Sequence, residues 1–410
     1  MASPRQILVA GLDIGSTKTA AVIAEVVTGA TADLPQIRVL GVGQARTGGM
    51  RRELVTDIEA TTESVRKALG EAELMAGVSV ERVYTGIAGD HIQARPSHGV
   101  VAVGGEITRA DVERVQEVAR AVPVAADRER LHAIPQEYIV DGQGGIRDPA
   151  GMAGTRLEAE VFIVTGSATA AQNVRKSVSR AGYEVAELVL EPIASSLSVL
   201  SEDEREIGVA VVELGGGTTD LAIFHERKIR HLATLPWGGA AVTNDIAKGL
   251  SLPYAEATRI KERWGAARTD NVDPHDTFEV PGPVPGQRRH IARELLAHII
   301  EQRMDEIFGL VGDQLDRSGF ADRLSGGIVL VGGGASLAGI VPLAERTFAT
   351  SVRCGVPGIE ITGLTDAVRR PMLATATGLA MYGAHRVAPE LPDAVGGVIK
   401  WMRSWLADFF

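Results

Sequence analysis

Two glycine-rich segments of the chain carry residue types that suit the binding of phosphate. They read LDIGSTKT at 12–19 and ELGGGTTD at 213–220. A tight glycine turn presents successive backbone N–H groups with no side chain in the way, and such a concavity binds anions. We therefore predict that the two segments hold the β- and γ-phosphates of a nucleotide from opposite sides, with a lysine as counter-charge. The candidate residues are Gly15, Ser16, Thr17 and Lys18 in the first segment, and Gly215, Gly216, Gly217, Thr218 and Thr219 in the second.

Three carboxylates stand where they could assist phosphate chemistry. Asp13 and Glu213 come just before the two turns, and carboxylates that face each other across a triphosphate can hold Mg²⁺ through bound waters. Glu191 ends an apolar strand and precedes Pro192, which disfavours a helical Glu191 and starts the next helix well. We predict Glu191 and Glu213 as catalytic residues, with Glu191 positioning the attacking water. A helix-cap or surface role for Glu191 stays open.

A third glycine-rich segment, VGGGASL at 331–337, follows an apolar strand. A strand that runs into three glycines and then a helix could approach the adenosine end of a nucleotide, with the helix N-terminus aimed at phosphate. Its candidate residues are Gly332, Gly333, Gly334 and Ser336. For any one of the three segments, glycines that only permit a turn remain an alternative; the matched pair of turns favours phosphate.

The elements around these segments repeat. Residues 7–23 and 208–224 each read as an apolar strand, a glycine turn and a second strand, which suggests two related α/β halves. We predict helices over 55–77, 108–121, 167–181, 242–264 and 289–312, strands at 83–88 and 184–190, a strand pair at 100–103, and a strand at 161–165 that returns to the first sheet. The sequence therefore favours a duplicated α/β fold with insertions.

Composition excludes several classes of protein. The 410 residues carry a net charge of −10, which argues against nucleic acid as a partner. Cys354 is the one cysteine, so the chain can form no internal disulfide, and a reducing compartment fits. No stretch reaches the roughly 18 uncharged apolar residues of a spanning helix. We expect a protein that is neither secreted nor transmembrane.

Five motifs in order resemble the actin/hexokinase/chaperone ATPase superfamily: DIGSTKT, EPIAS at 191–195, ELGGGTTD, VGGGASL and ATGLAMYGA at 376–384. The stretches 89–103, 106–122 and 127–166 resemble the small domain of the FtsA family, and 237–265 resembles that family's nucleotide-side insertion. The resemblance implies an α/β, actin/RNase H-like fold of two lobes, with a nucleotide cleft and an FtsA-type inserted small domain. The implied division is 1–83 with 162–200 and 364–385 as the first lobe, 84–161 as the inserted domain, 201–240 with 304–363 as the second lobe, 241–303 as its insertion, 386–396 as a linker, and 397–410 as a terminal helix.

The resemblance also implies a function. It indicates a bacterial cell-division protein that binds ATP and Mg²⁺, with Gly238, Gly239 and Lys261 on the nucleotide. Glu213 stands where the family usually has Asp, and one extra methylene moves a carboxylate by about 1.5 Å, so we expect at most weak ATPase activity. The implied partners are the FtsZ C-terminal tail, further copies in a head-to-tail filament, and other divisome proteins, at the cytoplasmic face of the membrane at the division site.

Two surfaces are expected to carry these contacts. On the helix predicted from about Arg289, the residues Arg293, Ile300 and Arg303 fall near one face and would suit an acidic, apolar peptide such as the FtsZ tail; a solvated charged face is the alternative. Residues 397–410 form an amphipathic pattern typical of a helix lying on an anionic membrane surface. Its predicted membrane-facing residues are Val398, Ile399, Trp401, Met402, Trp405, Leu406, Phe409 and Phe410.

Two other functions fit the same superfamily. A small-molecule kinase needs a carboxylate base beside the γ-phosphate and a polar substrate pocket, and no second acidic motif of that kind is evident. A pilus-assembly actin homologue shares much of the fold, but it has no need for an amphipathic terminal helix.

Overall fold

The structure is a computed structural model that describes residues 7–27, 36–282, 287–358 and 360–387. Its strands are β1 (Leu8–Ile14), β2 (Lys18–Val27), β3 (Gln36–Arg46), β4 (Met50–Arg51), β5 (Leu54–Val55), β6 (Arg82–Ile87), β7 (Gln93–Glu106), β8 (Arg128–Val140), β9 (Gln143–Ile146), β10 (Ala153–Ser167), β11 (Glu184–Leu190), β12 (Val209–Leu214), β13 (Thr219–His225), β14 (Lys228–Leu235), β15 (Thr277–Pro281), β16 (Arg288–Ala292), β17 (Ile328–Val331), β18 (Val352–Cys354) and β19 (Ile361–Gly363). Its α-helices are α1 (Ile58–Ala76), α2 (Arg109–Arg120), α3 (Ala168–Ala181), α4 (Glu191–Val199), α5 (Glu202–Ile207), α6 (Gly239–Gly249), α7 (Tyr254–Trp264), α8 (Arg293–Ser318), α9 (Ile340–Phe348), α10 (Thr365–Val368) and α11 (Ala374–Val387).

The two large sheets share one strand order. The first runs β3-β2-β1-β6-β11, with β19 added beside β3, and the second runs β14-β13-β12-β17-β18. In each, the first two strands form an antiparallel hairpin, and a later strand, β6 in the first sheet and β17 in the second, pairs parallel to the first strand. Strands β1 and β12 are buried almost throughout, as expected of central strands covered on both faces. The duplication predicted from the two turns is confirmed.

The inserted domain has a separate antiparallel sheet in the order β7-β10-β8-β9, covered by helix α2. Helix α2 begins at a Thr108–Asp111 capping box and buries Val112, Val115 and Ala119. Strand β10 pairs with β7 as far as Thr165 and with β8 as far as Ser167, so the predicted return of 161–165 to the first sheet is wrong. The predicted strand pair at 100–103 is likewise one stretch of the long strand β7.

Two domain borders differ from the predicted ones. Strand β6 belongs to the first sheet through its pairing with β1 and β11, so the inserted domain begins after Ile87 rather than at residue 84. At the other end, β19 pairs with β3, so the chain has returned to the first lobe by Ile361 rather than at 364. Both differences reflect sheet pairing between distant segments, which local sequence patterns do not specify.

The region before α8 differs from its prediction. The stretch predicted as one helix over 242–264 is two helices, α6 and α7, because the chain turns at Ser251, with positive φ, and Pro253 precedes α7. Residues 288–292 form strand β16 against β15, so α8 begins at Arg293 rather than near residue 289. In β15 the apolar residues alternate, with Phe278 and Val280 buried, which is the period of a half-buried strand.

Helices α4 and α11 pack closely where the chain passes between the lobes. A Cβ added to Gly378 in α11 would lie 1.7 Å from the carbonyl oxygen of Ala194 in α4, so glycine is required there. This close crossing fixes the first residue of α4, Glu191, relative to the two hairpins. Within the part of the chain that the structure describes, no helix is both long and apolar enough to cross a membrane.

Candidate functional site

The two glycine turns face each other. Each is closed by the same hydrogen bond, from Gly15 N–H to the Lys18 carbonyl at 3.0 Å and from Gly215 N–H to the Thr218 carbonyl at 3.0 Å. A Cβ added to Gly216 would lie 2.5 Å from Thr17 Oγ1. The absence of a side chain at this position therefore lets the backbone of one turn approach the hydroxyls of the other.

Five buried carboxyl groups surround these turns: Asp13, Glu53, Glu191, Glu213 and Asp220. The structure brings together the three that we predicted and adds Glu53 and Asp220. Asp220 could have been found, since it directly ends the second glycine segment and pairs with Glu213 in the hairpin register. Glu53 carries no local signal, because only the fold brings it to Ser16.

Burial raises the pKa values of Glu191, Glu213 and Asp220, and neighbouring carboxylates add to the rise at Glu191 and Glu213. Burial, and then the charge of Asp13, raise the pKa of Glu213 to about 8. Burial, and then Glu53, raise the pKa of Glu191 well above its usual range. Burial alone raises the pKa of Asp220 to about 6, although hydrogen bonds from Thr234 and Thr218 oppose it. The site therefore concentrates acidic groups that a cation would stabilise in their ionised form.

One cation lies within this group on the first hairpin. Lys18 Nζ is 3.1 Å from Asp13 Oδ2 and also donates to the Met372 carbonyl. It is about one-fifth exposed, with a side-chain exposure of 21%. Lys18 is therefore a partly exposed cation beside the first glycine turn, paired with Asp13.

The two oxygens of Glu213 have different surroundings. Glu213 Oε1 accepts a hydrogen bond from Thr375 Oγ1 at 2.6 Å, whereas its Oε2 is buried with no hydrogen-bond partner among the described residues. No group of three or more His, Cys, Asp or Glu residues in the described ranges could hold a metal ion directly. Asp13 and Glu213 therefore fit a magnesium ion held through water rather than by a protein cage.

The second turn is supported by the start of α6. Gly239 N–H donates to the Gly215 carbonyl at 2.9 Å, and Ala240 N–H donates to the Gly216 carbonyl at 2.8 Å. Lys261 Nζ donates to the Gly239 carbonyl at 2.9 Å, and burial lowers the pKa of Lys261. Lys261 therefore lies beside the start of α6, and its contact with a nucleotide stays a prediction.

The third glycine segment lies against the base of the second hairpin. A Cβ on Gly332 would be 2.7 Å from the Leu214 carbonyl oxygen, and a Cβ on Gly334 would be 2.7 Å from Leu214 Cβ. Gly333 faces open space and Ser336 is exposed. This segment is a 3-10 turn, Gly333–Ser336, before α9.

Three hydroxyl groups have protein partners. Thr218 Oγ1 donates to Asp220 at 3.0 Å and Thr219 Oγ1 donates to the Trp237 carbonyl at 2.8 Å. Thr219 is fully buried, so its hydroxyl holds the hairpin to the segment before α6 and is not directed at a ligand. Ser16 Oγ donates to Glu53 Oε1 at 2.8 Å.

The predicted peptide-binding residues do not share one surface. Ile300 has no exposed area and belongs to the core of the second lobe, so its prediction as a surface contact is wrong. Helix α8 buries that face because α6, α7 and α9 pack around it. Arg293 and Arg303 are partly exposed and paired, Arg293 with Asp276 at 3.1 Å and Arg303 with Asp245 and Glu306.

The predicted terminal helix, 397–410 with its eight apolar residues, lies outside the described residues, as does most of the linker 386–396. Both predictions therefore stay predictions.

The family model of cell division protein FtsA matches residues 210–378, and that of the SHS2 domain inserted in FtsA matches residues 89–165. Cell division protein FtsA of Pseudomonas aeruginosa is 44% identical over 391 residues, which are 95% of this chain and 92% of that protein.

Two solved structures share the fold. The PilM–PilN type IV pilus biogenesis complex has a TM-score of 0.64 at 17% identity, over 93% of this chain and 99% of the other. MreB5 of Spiroplasma citri bound to ADP has a TM-score of 0.54 at 14% identity, over 95% and 100%. At these identities the likeness shows an actin-like fold.

Proposed function

Because the chain belongs to the FtsA family of bacterial cell division proteins, we propose that it is an ATP-binding, actin-like protein that anchors the FtsZ ring to the cytoplasmic membrane and helps recruit other divisome proteins. The observation that carries the nucleotide part is the pair of apposed glycine turns. The ADP bound to the MreB5 neighbour supports the same assignment.

In this proposal the phosphates lie between the two turns. The N–H groups of Gly15 and Gly215 close the two turns, so those of Ser16, Gly216 and Gly217 would contact the phosphates, and Lys18 would supply positive charge. Magnesium would neutralise phosphate charge when bound, and Asp13 and Glu213 would hold its waters. Glu191 lies at the start of α4, where a carboxylate can orient a water toward the terminal phosphate.

Isothermal titration with Mg·ATP tests this assignment on the intact protein. We expect saturable binding with slow turnover, because the Glu213 carboxylate extends one methylene further than Asp would. Glu213→Asp should raise hydrolysis several-fold if that length is the brake. A flat titration with the folded wild-type protein would remove ATP from the proposal.

We propose that an acidic peptide, the FtsZ tail, contacts the region around Arg293 and Arg303. Both guanidinium groups are already paired with carboxylates, so the peptide carboxylates must compete for them. Reversing both charges, Arg293→Glu with Arg303→Glu, should weaken binding of the tail peptide about tenfold or more. Arg288→Glu is the matched control, since Arg288 is exposed and pairs only with Glu279 among the described residues. Equal affinities for the double variant and the wild type would move the site elsewhere.

For self-assembly, we propose that the inserted domain contacts the next copy in a head-to-tail filament, a heterologous contact that does not close. Two large apolar residues of this domain are exposed, Val100 at 45% and Val118 at 46%. Replacing both with Glu should shorten filaments seen by electron microscopy on lipid monolayers. Leu364→Glu, an equally exposed site outside the domain, should leave them unchanged.

For the membrane, we propose that residues 397–410 lie flat in the anionic surface of the cytoplasmic leaflet. Such a helix is about 21 Å long, which is too short to cross a hydrocarbon core of about 30 Å. Trp405→Glu should release the protein from anionic liposomes while ATP binding is retained. If liposome pelleting survives both this substitution and deletion of 397–410, the anchor lies in another segment.

A further inference from the structure

The backbone and hydroxyl donors of Ser16, in the first glycine turn, are already engaged by a side chain. Ser16 Oγ donates to Glu53 Oε1 at 2.8 Å, and Ser16 N–H donates to the same oxygen at 3.3 Å. In return, Glu53 N–H donates to Ser16 Oγ at 3.0 Å. Glu53 is only 7% exposed, so this is an enclosed contact at the site where we propose that phosphate binds.

The chain holds Glu53 there through an unfavourable turn. Strands β4 and β5 form a short hairpin whose two central residues, Arg52 and Glu53, have φ values of 48° and 60°. Turns with positive φ at both central positions strongly prefer Asn-Gly or similar pairs. A turn of this kind built from arginine and glutamate persists only where surrounding contacts hold it, and the Ser16 contacts of Glu53 are such contacts.

The same hairpin contacts the second turn. A Cβ added to Gly217 would lie 2.9 Å from Arg52 Cα and 2.5 Å from Ser16 Oγ. Arg52 and Glu53 therefore lie beside both glycine turns. Any ligand that enters between the turns must meet this hairpin.

The surroundings of Glu53 favour its neutral form. Burial, Asp220 and Asp13 raise the pKa of Glu53 to about 8, against hydrogen bonds from Ser16. At neutral pH the group is held mainly by hydrogen bonds and not by charge attraction. The hydrogen bonds between Ser16 and Glu53 therefore form without a nearby cation. Another acceptor can take the place of the Glu53 carboxyl group.

We infer that the Glu53 side chain is an internal competitor of phosphate: a nucleotide phosphate takes over the Ser16 donors and displaces Glu53 together with the hairpin Met50–Val55. This inference rests on the proposed nucleotide function. The competition reduces the apparent affinity in proportion to the fraction of molecules in which Ser16 is free. Displacement also moves Leu54, which is 36% exposed, so nucleotide occupancy would alter the surface next to α1.

Two substitutions separate competition from a supporting role. Glu53→Ala removes the acceptor, so we expect Mg·ATP to bind about tenfold more tightly, the value of one or two lost hydrogen bonds. Glu53→Gln keeps an acceptor of the same length, so its affinity should stay within about threefold of wild type. Equal or weaker ATP binding by Glu53→Ala would show that Glu53 supports Ser16 instead of competing with phosphate.

Amide hydrogen exchange on the wild-type protein gives an independent measurement that needs no variant. Adding Mg·ATP should speed exchange at Glu53, whose N–H loses Ser16 Oγ as its acceptor, while the Gly15–Lys18 turn becomes more protected. Slower exchange at Glu53 on saturation would overturn the inference even if Glu53→Ala failed to fold. Absence of ATP binding by the wild type would instead refute the proposed nucleotide function, so the two failures are distinguishable.

Discussion

The two glycine hairpins share strand pairing and turn closure but differ in side chains. Where the first has Ser16 and Thr17, the second has Gly216 and Gly217, and the ideal Cβ positions of those glycines fall within 2.5 Å of the hydroxyls opposite. The glycines of one turn therefore leave room for the side chains of the other. Duplication accounts for the common frame, and the site depends on the difference between the copies.

The hairpins also differ in what supports them. Backbone N–H groups at the start of α6 hold the second turn through the carbonyls of Gly215 and Gly216. The first turn is held by Ser16 contacts with Glu53 and by one backbone bond, from Thr47 N–H to the Thr17 carbonyl at 3.1 Å. A ligand can replace a side-chain hydrogen bond at a lower free-energy cost than the backbone hydrogen bonds of a helix terminus. We therefore expect the first turn to change more readily than the second when a ligand binds.

The largest expected effect tests the positive charge of Lys18, which the second glycine turn lacks. Lys18→Met should weaken Mg·ATP binding by about 30- to 150-fold, since a hydrogen bond to a charged group contributes about 2–3 kcal/mol. Lys67→Met is the matched control, because Lys67 is 66% exposed and pairs with Glu63 on the surface. If titration calorimetry gives the same affinity for both variants, the phosphates do not lie beside the first hairpin.

A smaller effect tests the close approach that the missing side chain of Gly217 permits between the second turn and Arg52. Gly217→Ala places a methyl group 2.9 Å from the Arg52 backbone, so the turns must separate at a cost of about 1–3 kcal/mol. We expect lower thermal stability and about tenfold weaker ATP binding. Gly70→Ala, in the middle of α1 with nothing within 4 Å of the added carbon, should be neutral or slightly stabilising. A Gly217→Ala protein as stable as Gly70→Ala would show that the turns are not closely apposed.

The sequence predicted the symmetric part of this site better than the asymmetric part. Asp13, Glu213 and the two turns were predictable because each lies at a strand end within a repeated pattern. Glu53 was not, because it reaches Ser16 only through a separate hairpin with a poor turn sequence. Ile300 was assigned to the wrong environment for a related reason. Helical spacing shows which residues share a face, but only packing shows whether that face is covered.

The smallest expected effect concerns pH and again distinguishes the first hairpin. Glu53 has a pKa of about 8 in the fold and an ordinary value of 4.5. Between these values the folded protein retains a proton that the unfolded chain has released, so this contribution to stability is full below pH 4.5 and is lost as pH rises through about 8. Glu53→Gln cannot titrate but keeps its hydrogen-bond acceptor, so its melting temperature should fall less than that of wild type between pH 6 and pH 8.5, by about 1 °C for each kcal/mol in a chain of 410 residues. Glu63→Gln removes an exposed carboxylate and should keep the wild-type slope. Parallel melting curves for Glu53→Gln and wild type across this range would mean that Glu53 is already ionised at pH 6, and the first turn would then be held by charge and not by a neutral acid.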